Sequence, residues 1–99
     1  MKEKLLKIIN TYEVIPQLKY FQSEVFELNE AIISAEHSRC VGITRDVAPI
    51  CIEHIAEEIA DCTVMLKQFQ YYYGIEDKEI EKVMKYKIDR QLERIKEGK

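Results

Sequence analysis

The sequence predicts an all-α protein, a four-helix antiparallel bundle that associates with copies of itself. Three observations lead there. The chain of 99 residues holds only 3 Gly and 2 Pro, too few breaks for a strand-and-turn architecture. Apolar residues recur at alternating spacings of three and four over two long stretches, as on a helix packed along its whole length. A single domain of this length, residues 1–99, buries only a modest share of its surface, which favours self-association.

The elements follow in order. Residues 2–11 form a short helix with Leu5, Leu6, Ile8 and Ile9 as its apolar face. Pro16 suits the first turn of a second helix, where a missing N–H costs little. That helix spans residues 16–36, with the stripe Leu18, Phe21, Val25, Leu28, Ile32 and Ala35. Residues 37–49 contain Gly42, Thr44, Asp46 and Pro49 without clean periodicity and are expected to form a loop carrying Arg39 and Arg45. The third helix spans residues 50–73, with the stripe Ile52, Ile55, Ile59, Cys62, Leu66, Phe69 and Tyr73, and Gly74 suits its C-terminal cap. Asp77 is placed to cap a fourth helix that buries Ile80, Met84, Ile88, Leu92 and Ile95.

Composition narrows the function. A net charge of −3 gives no general attraction to nucleic acid or to an anionic membrane. Cys40, Cys51 and Cys62 are odd in number and lack CxxC spacing, which speaks against a disulfide framework or a zinc knuckle. With no signal peptide and no long apolar run, a cytoplasmic protein with reduced thiols is expected.

The chemistry is concentrated in two acidic pairs, Glu24/Glu27 and Glu58/Asp61. Residues three apart on a helix share a face, so each pair can aim at one point. A shift of 34 residues lays the second helix's stripe onto the third's and carries Glu24 onto Glu58 and Glu27 onto Asp61. In an antiparallel pair of helices the matching flanks fall on the same side, and both acidic pairs lie roughly 15 Å from the connecting loop at 1.5 Å per residue. Four carboxylates are thus expected to converge. Such a cluster repels itself unless a cation neutralises it. Oxygen ligands without His or Cys suit Mg²⁺, or Mn²⁺, and phosphoryl chemistry is the natural use of that ion.

The pattern of an acidic helix, a spacer and then E-x-x-D resembles the MazG-like all-α nucleoside triphosphate pyrophosphohydrolases. Residues 17–32, QLKYFQSEVFELNEAI, resemble that family's first motif helix, residues 55–66, IAEEIADCTVML, its second, and residues 83–95, VMKYKIDRQLERI, the basic closing helix of its small phage-type members. Ser23 stands where the family's E-E-x-x-E has its leading acid, and the 30-residue spacer between Glu27 and Glu58 implies a lengthened loop. The resemblance implies a hydrolase that binds Mg²⁺ through Glu24, Glu27, Glu58 and Asp61, which are also its catalytic residues. It implies cleavage of an NTP or dNTP to the monophosphate and pyrophosphate, in a homodimer or homotetramer. Lys87 and Arg90, matching the basic tail, and Arg39 and Arg45 in the loop are the expected phosphate-binding cations. Two alternatives remain: a helical oligomer that lost activity and serves as an interaction protein, to which Ser23 points, and a related all-α enzyme acting on dUTP, dCTP or a phosphoribosyl nucleotide.

Other residues are assigned blander roles. His37 and His54 show no partner in the sequence and are expected as caps, surface groups or half-buried side chains. Tyr71, Tyr72 and Tyr73 point in three directions on a helix and are expected in packing. Phe26 and Ile33, seven residues apart and away from the main stripe, suggest a second apolar seam that meets another subunit.

Overall fold

The structure, a computed structural model, describes residues 1–41 and 47–98, and the side chains of all of these but 39–41. Among the described residues it is wholly helical: α1 (Lys2–Tyr12), α2 (Val14–Val41), α3 (Pro49–Tyr72) and α4 (Asp77–Lys96), with no strand. None of these helices is long and apolar enough to cross a membrane.

Only Glu13 separates α1 from α2. It closes α1 by donating its N–H to the Ile9 carbonyl, at φ 71° and ψ 158°. An L side chain rarely takes this conformation, so the chain's first corner is strained. Pro16 lies in the first turn of α2, as the sequence requires. α2 continues past Glu36 to Val41, so Arg39 belongs to a helix and not to the expected loop. Arg45 lies outside the described residues. Pro49 is the first residue of α3, where its fixed φ suits the helix start. Gly74 ends α3 at φ 71°, with Gly74 N–H donating to the Tyr71 carbonyl and Ile75 N–H to that of Gln70. These two bonds make the Schellman closure in which glycine is favoured.

The seam between α2 and α3 differs from the expected one. On α2 it runs Gln17, Phe21, Glu24, Leu28, Ala31 and Ala35; on α3 it runs Cys51, Ile55, Glu58, Cys62, Met65 and Phe69, all buried or half-buried. Six of the thirteen predicted stripe residues are there. The other seven, Leu18, Val25, Ile32, Ile52, Ile59, Leu66 and Tyr73, are exposed. Glu24 and Glu58 occupy the seam positions that an apolar reading would give to aliphatic side chains. The 34-residue correspondence survives intact, because each α2 seam residue maps onto its α3 counterpart. Contacts run in opposite order along the two helices. Gln17, near the start of α2, donates to Gln68 near the end of α3 at 2.8 Å. Further along α2, Glu24 and Glu27 meet Glu58, further back on α3. Phe21 and Phe69 pack edge to face at 5.7 Å.

Leu5 and Ile9 of α1 are buried, and α1 packs on both α2 and α3. α4 does not. Among the described residues it meets α3 only at its first turn, lies along none of the other helices and buries no residue. Of its predicted buried side only Ile80 is half-buried, while Met84, Ile88, Leu92 and Ile95 are exposed. Asp77 is not a capping side chain either. It is the first residue of α4, and its carboxylate accepts from Lys67 and Gln70 at 2.8 Å and from the Tyr71 hydroxyl at 3.0 Å. These donors hold its pKa down at about 2.

Candidate metal centre

A helix turns about 100° per residue, so three residues forward, or four back, from a seam position lands on one flank, and one residue forward lands on the other. Glu27 and Asp61 follow the seam residues Glu24 and Glu58 by three. Tyr20 and His54 precede the same two by four. All four therefore share one flank. The 34-residue shift relates Tyr20 to His54 as it relates the acids.

Glu24, Glu27 and Glu58 each place a carboxylate oxygen within 4.8 Å of the others. Glu24 is 5% exposed and Glu58 8%, whereas Glu27 is exposed. One oxygen on each buried acid, Glu24 Oε2 and Glu58 Oε2, is sealed from solvent and has no hydrogen-bond partner. Burial, then the charge of Glu27, then that of Asp61 push the Glu58 pKa up, and His54 opposes them. His54 Nε2 lies 3.4 Å from Glu58 Oε1. Tyr20 hydrogen-bonds Glu24, and that bond is the main reason its phenol pKa is raised. The Cys62 thiol is buried in the seam beside these acids; burial, followed by the charge of Glu24, pushes its pKa up.

Three of the four predicted ligands thus meet at one point. Asp61 is exposed and acts on Glu58 through its charge without joining the cluster. The structure does not bring Lys87 or Arg90 to the carboxylates, because α4 is packed on neither α2 nor α3; Arg90 instead lies 5.8 Å over the Tyr86 ring. The side chain of Arg39 and all of Arg45 lie outside the described residues. The sequence left His54 without a partner, as a cap, surface or half-buried group, and gave Tyr20 no role; His54 is an exposed side chain set against Glu58. The signal was available in their four-residue spacing before Glu58 and Glu24, the spacing at which helical side chains meet.

The cluster fits a hard divalent cation. Two buried, unpaired carboxylate oxygens are costly unless a positive charge sits between them. Three carboxylates with one exposed member offer oxygen donors and room for water ligands, the coordination that Mg²⁺ and Mn²⁺ prefer. A groove lined by Tyr12, Pro16, Gln17 and Tyr20, of about 450 Å³, adjoins this flank through Tyr20. No family model, no curated protein and no solved structure matches the chain.

Proposed function

We propose that the protein is a Mg²⁺-dependent nucleoside triphosphate pyrophosphohydrolase of the MazG-like type, built on an antiparallel α2–α3 pair. The observation that carries the proposal is the pair of buried, partnerless oxygens, Glu24 Oε2 and Glu58 Oε2, on two acids that gather with Glu27 to within 4.8 Å. Carboxylates left in this state imply a positive ligand. The motif residues that suggest the family are the same acids.

In this reading Glu24, Glu27 and Glu58 hold the ion, and Asp61 adds negative charge from the same flank. The bound cation would supply charge for the phosphate oxygens and a more acidic water. The chain's own residues do the rest. Glu24 or Glu27 takes the proton of the attacking water, and Glu27 is the exposed one of the two. His54 Nε2 lies against Glu58 Oε1 and leaves Oε2 without a hydrogen-bond partner in the protein. Tyr20 does the same for Glu24. The adjoining groove offers the Tyr12 and Tyr20 rings for stacking, features that suit a nucleobase. Water attack at the α-phosphorus breaks the bond to the bridging oxygen, giving a monophosphate and pyrophosphate. Arg39 and Arg45 remain the proposed cations for the outer phosphates, whereas Lys87 and Arg90 sit on a helix that is packed on neither α2 nor α3.

The test is pyrophosphate release over a panel of NTPs and dNTPs with Mg²⁺ or Mn²⁺, dUTP and dCTP included. Turnover of at least one substrate that depends on the metal and is lost in Glu58→Gln is the expected result. No turnover of any substrate would favour a second reading, an inactive helical oligomer, to which Ser23 and the exposed apolar side chains of α4 point.

A further inference from the structure

Tyr20 and His54 hold equivalent places, each four residues before a buried acid, yet they make different contacts. The Tyr20 hydroxyl hydrogen-bonds Glu24. His54 Nε2 stands 3.4 Å from Glu58 Oε1, beyond the range of about 2.7–3.2 Å in which an N–H donates well to an oxygen. Among the described residues His54 has no hydrogen-bond or ion-pair partner other than Glu58. The separation fits another kind of contact. Two ligand atoms that share one ion at ~2.0–2.1 Å lie ~3.3–3.4 Å apart on a tetrahedral ion and ~2.9 Å apart on an octahedral one. The acids beside this pair call for a cation independently of it. Glu24 is 5% exposed, its Oε2 has no partner, and Glu58 Oε2 is in the same state.

We propose that His54 Nε2 and the Glu58 carboxylate together hold a borderline transition ion of the Zn²⁺ or Co²⁺ class. His54 is not among the three acids gathered within 4.8 Å, so this ion sits at the His54 side of the cluster, with water and a neighbouring carboxylate filling its remaining positions. The four-residue spacing on one helix sends both side chains from the same face. An imidazole nitrogen suits these ions, whereas Mg²⁺ demands oxygen ligands in an octahedron. The centre therefore treats two classes of ion differently. Mg²⁺ is held by carboxylates and water with His54 outside its shell, and Zn²⁺ takes His54 into its shell. The His54 side chain is 58% exposed, so water can satisfy its other ring nitrogen, as a ligating histidine requires. A Zn²⁺ ion so placed engages Glu58 and puts positive charge beside Glu24 and Glu27, so it competes with Mg²⁺. The inference rests on the acids being a metal centre and not on the reaction proposed for them.

The experiment titrates Zn²⁺, and separately Mg²⁺, into the full chain labelled with nitrogen-15 at histidine. The chain has two histidines, and His37→Gln leaves only the His54 resonances. The expected result is a saturable shift of the His54 Nε2 resonance with Zn²⁺ and no comparable shift with Mg²⁺. In calorimetric titrations His54→Ala should lower Zn²⁺ affinity by more than ~100-fold, beyond the loss of an outer partner, and Mg²⁺ affinity by only ~10-fold. A role confined to positioning Glu58 would weaken both ions alike. His54 is exposed, so the variant's helical circular dichroism should match that of the wild type. A His54 Nε2 resonance that Zn²⁺ does not move, or equal losses for the two ions, would overturn the inference, and Mg²⁺ binding in the same samples would leave the metal centre standing. Failure of both ions to bind would overturn both readings.

Discussion

The two flanks of the α2–α3 pair are made from the same two helices, yet they solve opposite problems. One flank carries Glu27, Asp61, Tyr20 and His54 around two buried glutamates, and the neighbouring negative charges add to burial in pushing the Glu58 pKa up. The other carries six aliphatic side chains in two rows, each between 36% and 54% exposed. The first gathers like charges, and the second presents apolar side chains to solvent. A helix pair can hold both conditions because a one-residue step along a helix changes the side it faces.

That contrast can be broken from the acidic side first. Glu58→Gln should lower Mg²⁺ affinity by more than ~100-fold, beyond the effect of losing an outer partner, as read by isothermal titration calorimetry. The same variant should raise the thermal midpoint of the metal-free protein, because it removes a charge that is buried at a cost. A lowered midpoint would mean that Glu58 is well accommodated without metal. His54→Ala should have a smaller effect, on the order of 10-fold in Mg²⁺ affinity, since it loosens Glu58 without removing a ligand. Ile59→Lys should leave Mg²⁺ affinity within about twofold of wild type, because an exposed position one turn face away has only a screened influence. A large loss there would show that the two flanks are coupled.

pH separates the acidic cluster from the α3–α4 corner. The Glu58 pKa is raised in the folded chain, so its contribution to stability is present below the ordinary carboxylate value and is lost as pH rises through the raised value. Metal-free protein should therefore gain stability as pH falls from neutral, and saturating Mg²⁺ should abolish that gain. Asp77 runs the other way. Its pKa is lowered from 3.8 to about 2, so its stabilisation is present above 3.8 and is lost as pH falls toward 2. Thermal melts of wild type and Asp77→Asn across this range should converge at the acid end. The smallest effect concerns backbone strain. Glu13→Gly should stabilise the chain by about 1 kcal/mol, relief of the positive φ being partly offset by the extra freedom of glycine when unfolded.

The helices themselves were legible because periodicity, Pro16, Pro49 and Gly74 all act locally. The position of the seam was not. A periodicity argument assigns aliphatic side chains to the interior, and here Leu18, Val25 and Ile32 lie one residue off it while Glu24 takes the buried place. The meeting of Glu24, Glu27 and Glu58 was nevertheless legible, because the 34-residue correspondence depends on spacing and not on which residue type is buried. The position of α4 could not be read at all. Its stripe of Met84, Ile88, Leu92 and Ile95 signals burial but does not say in which molecule the burying surface lies. Asp77 looked like a capping residue for the same reason: the sequence shows its neighbours along the chain, and Lys67 and Gln70 reach it across a turn.

Gln17 and Gln68 have a consequence for alignment. The seam repeats every seven residues on both helices, so sliding α2 past α3 by one repeat would still match small and apolar side chains. It would not match the amides. Gln17 is 8% exposed and Gln68 1%, and the Gln17 amide donates to Gln68 Oε1. A slipped pair would bury each amide without the other, at roughly 1–3 kcal/mol per orphaned group. The two glutamines thus act as an index pin for the sliding helices, and what they keep aligned, two turns away, is Glu24 against Glu58.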